Sequence, residues 1–120
     1  MKQLSFFAEK SSIMIEDEVL VIGFLENDDY QNQLTIQYQV TDLTSEDEEL
    51  GHTKYYISVD SNNSGGYGLV AGIDIFPERL IIELNSEGEK VLGFESIEVR
   101  YLSDTFFKLG KMLLEGIFEN

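Results

Sequence analysis

The chain has no cysteine and no tryptophan, one proline, one histidine and only eight basic residues among 120. Without cysteine there is no disulfide, no thiolate metal ligand and no thiol nucleophile. The lone histidine, His52, stands in ELGHTKYY with no nucleophile elbow and no triad spacing around it, so it reads as an ordinary loop residue. The N-terminal MKQLSFFAEKSS lacks the sustained apolar stretch of a secretion signal, and no apolar run approaches the roughly 20 residues of a membrane span. These absences point to a soluble protein kept in the cytoplasm. The shortage of bases matters as much. Against 23 acids they leave a net charge of −15, with 13 acids and 3 bases in residues 1–60. Such a field repels nucleic acid and anionic membranes and attracts basic partners. It serves solubility alone, or it faces a cationic partner; composition leaves both readings open.

What is present is enough for a packed core. Hydrophobic residues make up 42% and aromatics 12%, which argues against disorder. The length suits one domain spanning 1–120. LSFFAEKSSIMIE reads as one long bent strand or two short ones. VLVIGFL (19–25) is apolar on both faces and reads as a central strand covered on both sides. QLTIQYQVT alternates, with Leu34, Ile36, Tyr38 and Val40 opposed to Thr35, Gln37, Gln39 and Thr41. YYISVD alternates likewise, with Tyr55, Ile57 and Val59 on one face. LVAGIDIF and RLIIELN join through Pro77-Glu78 as a tight hairpin. SEGE (86–89) fits a capping box with Ser86 as the cap, and Gly93 is placed to end that helix. In SDTFFKLGKMLLEGIF, Ser103 is the expected cap, with a Leu102–Phe107 staple. Phe106, Leu109, Leu113 and Ile117 form an apolar stripe that Phe107, Leu114 and Phe118 widen. The expected fold is α+β: a mostly antiparallel sheet with a short helix and a C-terminal amphipathic helix packed on one face. Thr35, Gln37, Tyr56, Glu98 and Arg100 are expected on the polar face of that sheet.

The stretch DSNNSGGYG (60–68) invites chemical readings. Asp60, Asn62, Ser64 and Gly65 match the opening of an EF-hand loop, but Ala71 stands where the bidentate glutamate belongs. GGYG matches neither phosphate-loop pattern, and no Lys or Arg lies between Lys54 and Arg79. Its glycines are read instead as the residues that turn a strand back through positive φ, with Tyr67 at the tip. No metal or cofactor is expected, and no pair of carboxylates is singled out for acid–base work. The run SEDEELG holds Glu46, Asp47, Glu48 and Glu49 in succession. It reads as a solvated loop or as an acidic patch for basic side chains of a partner.

DEELGHTKYYISVD, then NNSGGYG, a hairpin, RLIIELNSEGEKVLGFESIEVRYL and a closing amphipathic helix together resemble the immunity-protein-ten family of bacterial polymorphic toxin systems. The likeness runs over roughly residues 33 to 118. It is carried most specifically by Glu49, Leu50, Gly51, Tyr55 and Tyr56 and by Ser64, Gly66, Tyr67 and Gly68. Two glycines precede the tyrosine where a shorter turn is expected, and Ser58 stands where an acid is expected. The resemblance implies a non-catalytic protein that binds and neutralises a cognate toxin domain inside the producing cell or its kin. The expected contact residues are Glu46, Asp47, Glu48, Glu49, Tyr56 and Tyr67, meeting a basic surface. The alternative is a small α+β binding or scaffold module unrelated to toxins, with a homodimer through an exposed sheet edge as one form of it.

Overall fold

The computed structural model describes residues 3–26, 32–41, 43–50, 54–59, 64–101 and 105–118, the side chains of 64 and 105–109 excepted. The expected cap Ser103 and the Leu102–Phe107 staple lie outside the described residues, as do His52 and Asp60 to Asn63. In chain order the elements are β1 (Gln3–Phe7), β2 (Lys10–Glu16), β3 (Val19–Leu25), β4 (Gln33–Gln39), α1 (Ser45–Glu49), β5 (Tyr55–Val59) and β6 (Ser64–Tyr67). They continue with β7 (Val70–Phe76), β8 (Arg79–Leu84), α2 (Ser86–Leu92), β9 (Ser96–Arg100) and α3 (Thr105–Phe118). The content is α+β and the pairing mostly antiparallel. The strands form two sheets, however, ordered β1-β9-β8-β7 and β2-β3-β4-β5-β6.

LSFFAEKSSIMIE is therefore two strands in different sheets. β1 lies parallel to β9, and Ala8 extends that ladder by donating its N–H to the Arg100 carbonyl at 2.8 Å. The chain then crosses over, and β2 pairs antiparallel with β3. A second crossing, at Gly68 and Leu69, leads from β6 to β7. Gly68 supplies a positive φ of 66° there.

The alternation in each strand decides what the crossings enclose. In β3 every second residue is buried, Ile22 and Phe24 completely and Leu20 nearly so. They share one buried cluster with Leu34, Ile36, Ile57 and Val59 of their own sheet, and with Phe6, Leu80, Ile82, Ile97 and Val99 of the other. Each sheet thus covers the apolar face of its partner, as in sandwiches with a core about 10 Å thick. Each such side chain contributes about 1.5–3 kcal/mol by leaving water. The expectation that β3 is covered on both sides is corrected: Val19, Val21 and Leu25 on its outer face are only partly buried. Apolar residues on both faces mark a centrally placed strand here, with two neighbours, rather than a second covering layer.

The same arrangement separates residues expected on one polar face. Thr35, Gln37 and Tyr56 belong to the five-stranded sheet, Glu98 and Arg100 to the four-stranded one. On the latter's outer face Arg79 and Arg100 are cross-strand neighbours, and Glu98 pairs with both, at 3.2 and 3.9 Å.

Helix α3 lies against β7 and β2, one strand from each sheet. Leu114 and Ile117 enter the core cluster, and Phe118 meets Tyr55 edge-to-face at 4.9 Å between ring centres. Helix α2 differs from expectation at its start. The cap is Asn85, in an extended conformation, and its Oδ1 accepts from the Gly88 N–H at 2.9 Å. Ser86 is already helical. An amide does more here than a hydroxyl can, because Asn85 Nδ2 also donates to the Gly68 carbonyl at 2.8 Å and so ties α2 to the inter-sheet crossing. Gly93 does end the helix, left-handed at φ 81°.

Candidate functional site

The outer face of the five-stranded sheet carries two cross-strand rows set by register. One row runs Met14, Val21, Gln37, Tyr56 and Tyr67 across all five strands. Beside it runs a row of small residues, Ser12, Gly23, Thr35, Ser58 and Gly65. Large side chains next to small ones give the face relief. A shallow depression at the large row is lined by Val19, Gln37, Gln39, Lys54, Tyr56 and Tyr67.

Tyr56 and Tyr67 are the two expected site residues that the fold brings into contact. Their rings meet edge-to-face, 4.9 Å between centres and 70° apart, a geometry that puts a positive ring edge on a negative face. Tyr67 is not at a hairpin tip. Gly65 and Gly66 are paired residues of β6, opposite Ser58 and Ile57, and Gly68 alone of this group has positive φ. The physical reason for glycine at 65 is space. A β-carbon there would lie 2.5 Å from the Ile57 carbonyl oxygen, 2.8 Å from Ser58 Cβ and 2.9 Å from the Tyr56 hydroxyl. The tyrosine thus leans over the glycine, covering backbone that a bare strand would leave exposed.

The acidic run is a helix rather than a loop. Thr44 caps α1 by accepting from the Asp47 N–H at 3.1 Å, and Asp47 reciprocates by accepting from the Thr44 N–H at 3.0 Å. This capping box gives Asp47 a structural task, while Glu46 and Glu48 also sit in the first turn, where carboxylates favour the helix dipole. The T-x-x-D pattern of Thr44 and Asp47 is the one sequence signal for this helix. It was hidden because α1 buries no residue and so has no apolar periodicity.

Topology puts α1 between the end of β4 and the start of β5, the same end of the sheet as the β2–β3 turn. That turn adds Glu16, Asp17 and Glu18, and the Val40 N–H donates to the Glu18 carbonyl at 2.9 Å. Among the described residues, seven acids thus belong to connections at the end of the sheet where Tyr56 and Tyr67 lie. Sequence reasoning set Gln37 on one face with Tyr56, as the register confirms, but missed the contribution of the turn and of Met14 and Val21. Only pairing register places them beside the tyrosines.

The face presents phenols, amides and a few apolar side chains, with charge displaced to one end. Among the described residues no group of three or more His, Cys, Asp or Glu is arranged to hold a metal ion, and no helix is long and apolar enough to cross a membrane. The family model described as Immunity protein 10 matches residues 7–105, and the chain belongs to that family. The match begins earlier than the resemblance read from residue 33 and takes in β2 and β3, hence the whole of the large-residue row, and it ends where α3 begins. A search of the curated proteins finds no match.

Proposed function

We propose that this protein binds a cognate toxin domain and neutralises it by occlusion, catalysing nothing, in the cytoplasm of the cell that makes both. Membership of the immunity protein 10 family supports the reading most directly. The sheet face agrees with it: a tyrosine pair on a rigid five-stranded platform, with Glu46, Glu48 and Glu49 at one end to meet a basic surface. Tyrosine supplies a large contact area at a small cost in rotamer freedom, and the platform holds both rings before the partner arrives. Carboxylates at the rim speed encounter with a basic partner more than they hold it.

The test is to mix the purified protein with the toxin domain encoded beside its gene. A stoichiometric complex at micromolar concentration, with loss of toxin activity, is expected. Tyr56→Ala and Tyr67→Ala should each weaken the complex about tenfold or more, the usual effect of removing a central aromatic contact. Wild-type protein that forms no complex at that concentration would reject the reading.

A further inference from the structure

At the acidic end of the molecule the inner faces of the sandwich do not close completely. The last inner row of the five-stranded sheet runs Ile15, Leu20, Tyr38 and Tyr55. Helix α3 passes beside it and leaves a cleft of about 240 Å³ lined by Leu20, Tyr38, Met112, Leu113, Gly116 and Ile117. The lining is apolar apart from the Tyr38 hydroxyl and backbone. A β-carbon on Gly116 would meet nothing within 4 Å, so this part of the helix faces open space. Two apolar side chains at the cleft are set out in water: Ile15 is 71% exposed and Met112 64%. Val40, two residues beyond Tyr38 and so on the same side, is also exposed.

What surrounds this patch indicates what covers it. Ile15 leads directly into Glu16, Asp17 and Glu18, and Tyr38 into the connection that carries Glu46, Asp47, Glu48 and Glu49. Glu115 adds an eighth acid from α3. The nearby cations are Lys54, whose ammonium lies 5.8 Å from the centre of the Tyr38 ring, and Lys111. Among the described residues of these segments the acids outnumber the bases eight to two. A second copy of the chain would bring the same carboxylates against them, and like charges across an interface cost several kcal/mol. The cleft is also smaller than the about 300–1,000 Å³ of small-molecule sites, which suits an inserted side chain better than a whole ligand.

We infer that this cleft receives an apolar anchor side chain from a lysine- or arginine-rich segment of the toxin, as a second point of attachment at the same end of the sheet as the tyrosine pair but on its inner side. The proposal rests on the toxin-binding reading and deepens it. The anchor is desolvated between α3 and Tyr38, and the flanking cations lie over the carboxylates of the β2–β3 turn and α1. An apolar centre with a charged rim is how tight interfaces divide affinity from steering. Met112 suits the position, since an unbranched thioether chain adapts to the shape that enters.

Two measurements decide it. In the first, the toxin complex is titrated with Ile15→Glu and Met112→Glu, and with Val91→Glu on the far helix α2 as a control. Each cleft variant should bind about tenfold more weakly, the loss typical of an anchor pocket, with thermal unfolding unchanged. Wild-type affinity in both cleft variants overturns the cleft while leaving the immunity reading intact. The second needs no toxin. A synthetic peptide with one leucine flanked by lysines and arginines is followed by NMR at the Met112 methyl and the Tyr38 ring. Saturable shifts there are expected, lost when the leucine becomes serine and when the protein carries Met112→Glu. Shifts confined to the acidic residues and indifferent to the leucine, or no shifts at all, overturn the proposal. Absence of a wild-type toxin complex would defeat the function proposed above, and the peptide would still judge the cleft.

Discussion

Tyr101 shows how one hydroxyl holds two parts of this molecule together. Its ring is buried and stacks with Phe24 at 6.1 Å, and its hydroxyl donates to the Phe76 carbonyl at 2.7 Å, with the Arg79 carbonyl at 3.3 Å. The β7–β8 hairpin is thereby pinned to the end of β9. Burial pushes the phenol up to about 12 from its ordinary 10.0, because the phenolate would lose its hydration. The folded state thus keeps its proton at a pH where the unfolded chain gives it up. The stability linked to that proton is whole below pH 10 and is lost as pH rises through about 12. Tyr101→Phe should lower stability at pH 8 by about 1 kcal/mol, since the carbonyls flanking the hairpin turn lose their donor. It should also flatten the alkaline fall. Denaturant unfolding of both proteins at pH 8 and pH 11 measures the two effects. Gly65 makes the opposite case, a residue defined by what cannot be added to it. Gly65→Ala should cost about 1–3 kcal/mol, the range for overfilled sites, and separate Tyr56 from Tyr67. Gly72→Ala, with nothing within 4 Å of the new carbon, is the matched control and should stay near neutral in the same unfolding assay.

At the scale of elements, the two-residue turn between β2 and β3 is costly as built. Asp17 and Glu18 both have positive φ, 50° and 67°, as a twist-matched hairpin turn demands; aspartate is accepted at the first position, but Glu18 stands where such turns favour glycine. Placing Asn-Gly there should stabilise the protein by about 1 kcal/mol, from relief of left-handed strain. The same change removes two carboxylates from the acidic end, so association with the toxin should slow as the midpoint of unfolding rises. Stopped-flow binding and denaturant titration of one variant test both halves. Helix α2 depends on its cap in a similar way. Asn85→Ala should cost about 1–2 kcal/mol, as it removes a cap and the link to Gly68 together, and Asn85→Ser should recover only the cap. The hairpin at Pro77-Glu78, the stop at Gly93 and the alternation of β4 and β5 were all legible in the sequence, because each follows from neighbours a few residues apart. Helix α1 was not, since it is short and buries nothing. The choice of Asn85 over Ser86 as cap turned on Gly68, 17 residues away in the chain.

For the whole molecule, charge is the property that reaches furthest. A net charge of −15 is spread over the surface, but the turn at 16–18 and helix α1 concentrate seven acids at one end. Association with a basic toxin should therefore slow about tenfold or more between 0.05 and 0.5 M salt while dissociation changes little. Screening acts on the approach of separated charges and much less on contacts already made. Equal slowing of both rates would show that the acids hold the partner rather than steer it. The amino-acid sequence by itself determined the strands other than β6, the two larger helices, the family and the excess of acid, because periodicity, turn chemistry and composition are local or additive. Only the tertiary structure decided that the strands divide into two sheets, that Arg100 and Tyr56 face opposite sides, and that Tyr67 lies against Tyr56. It also decided that a cleft opens beside α3 among the acids. These depend on cross-strand register and on where the chain crosses between sheets, and each joins residues far apart in the chain whose local patterns are the same in either arrangement.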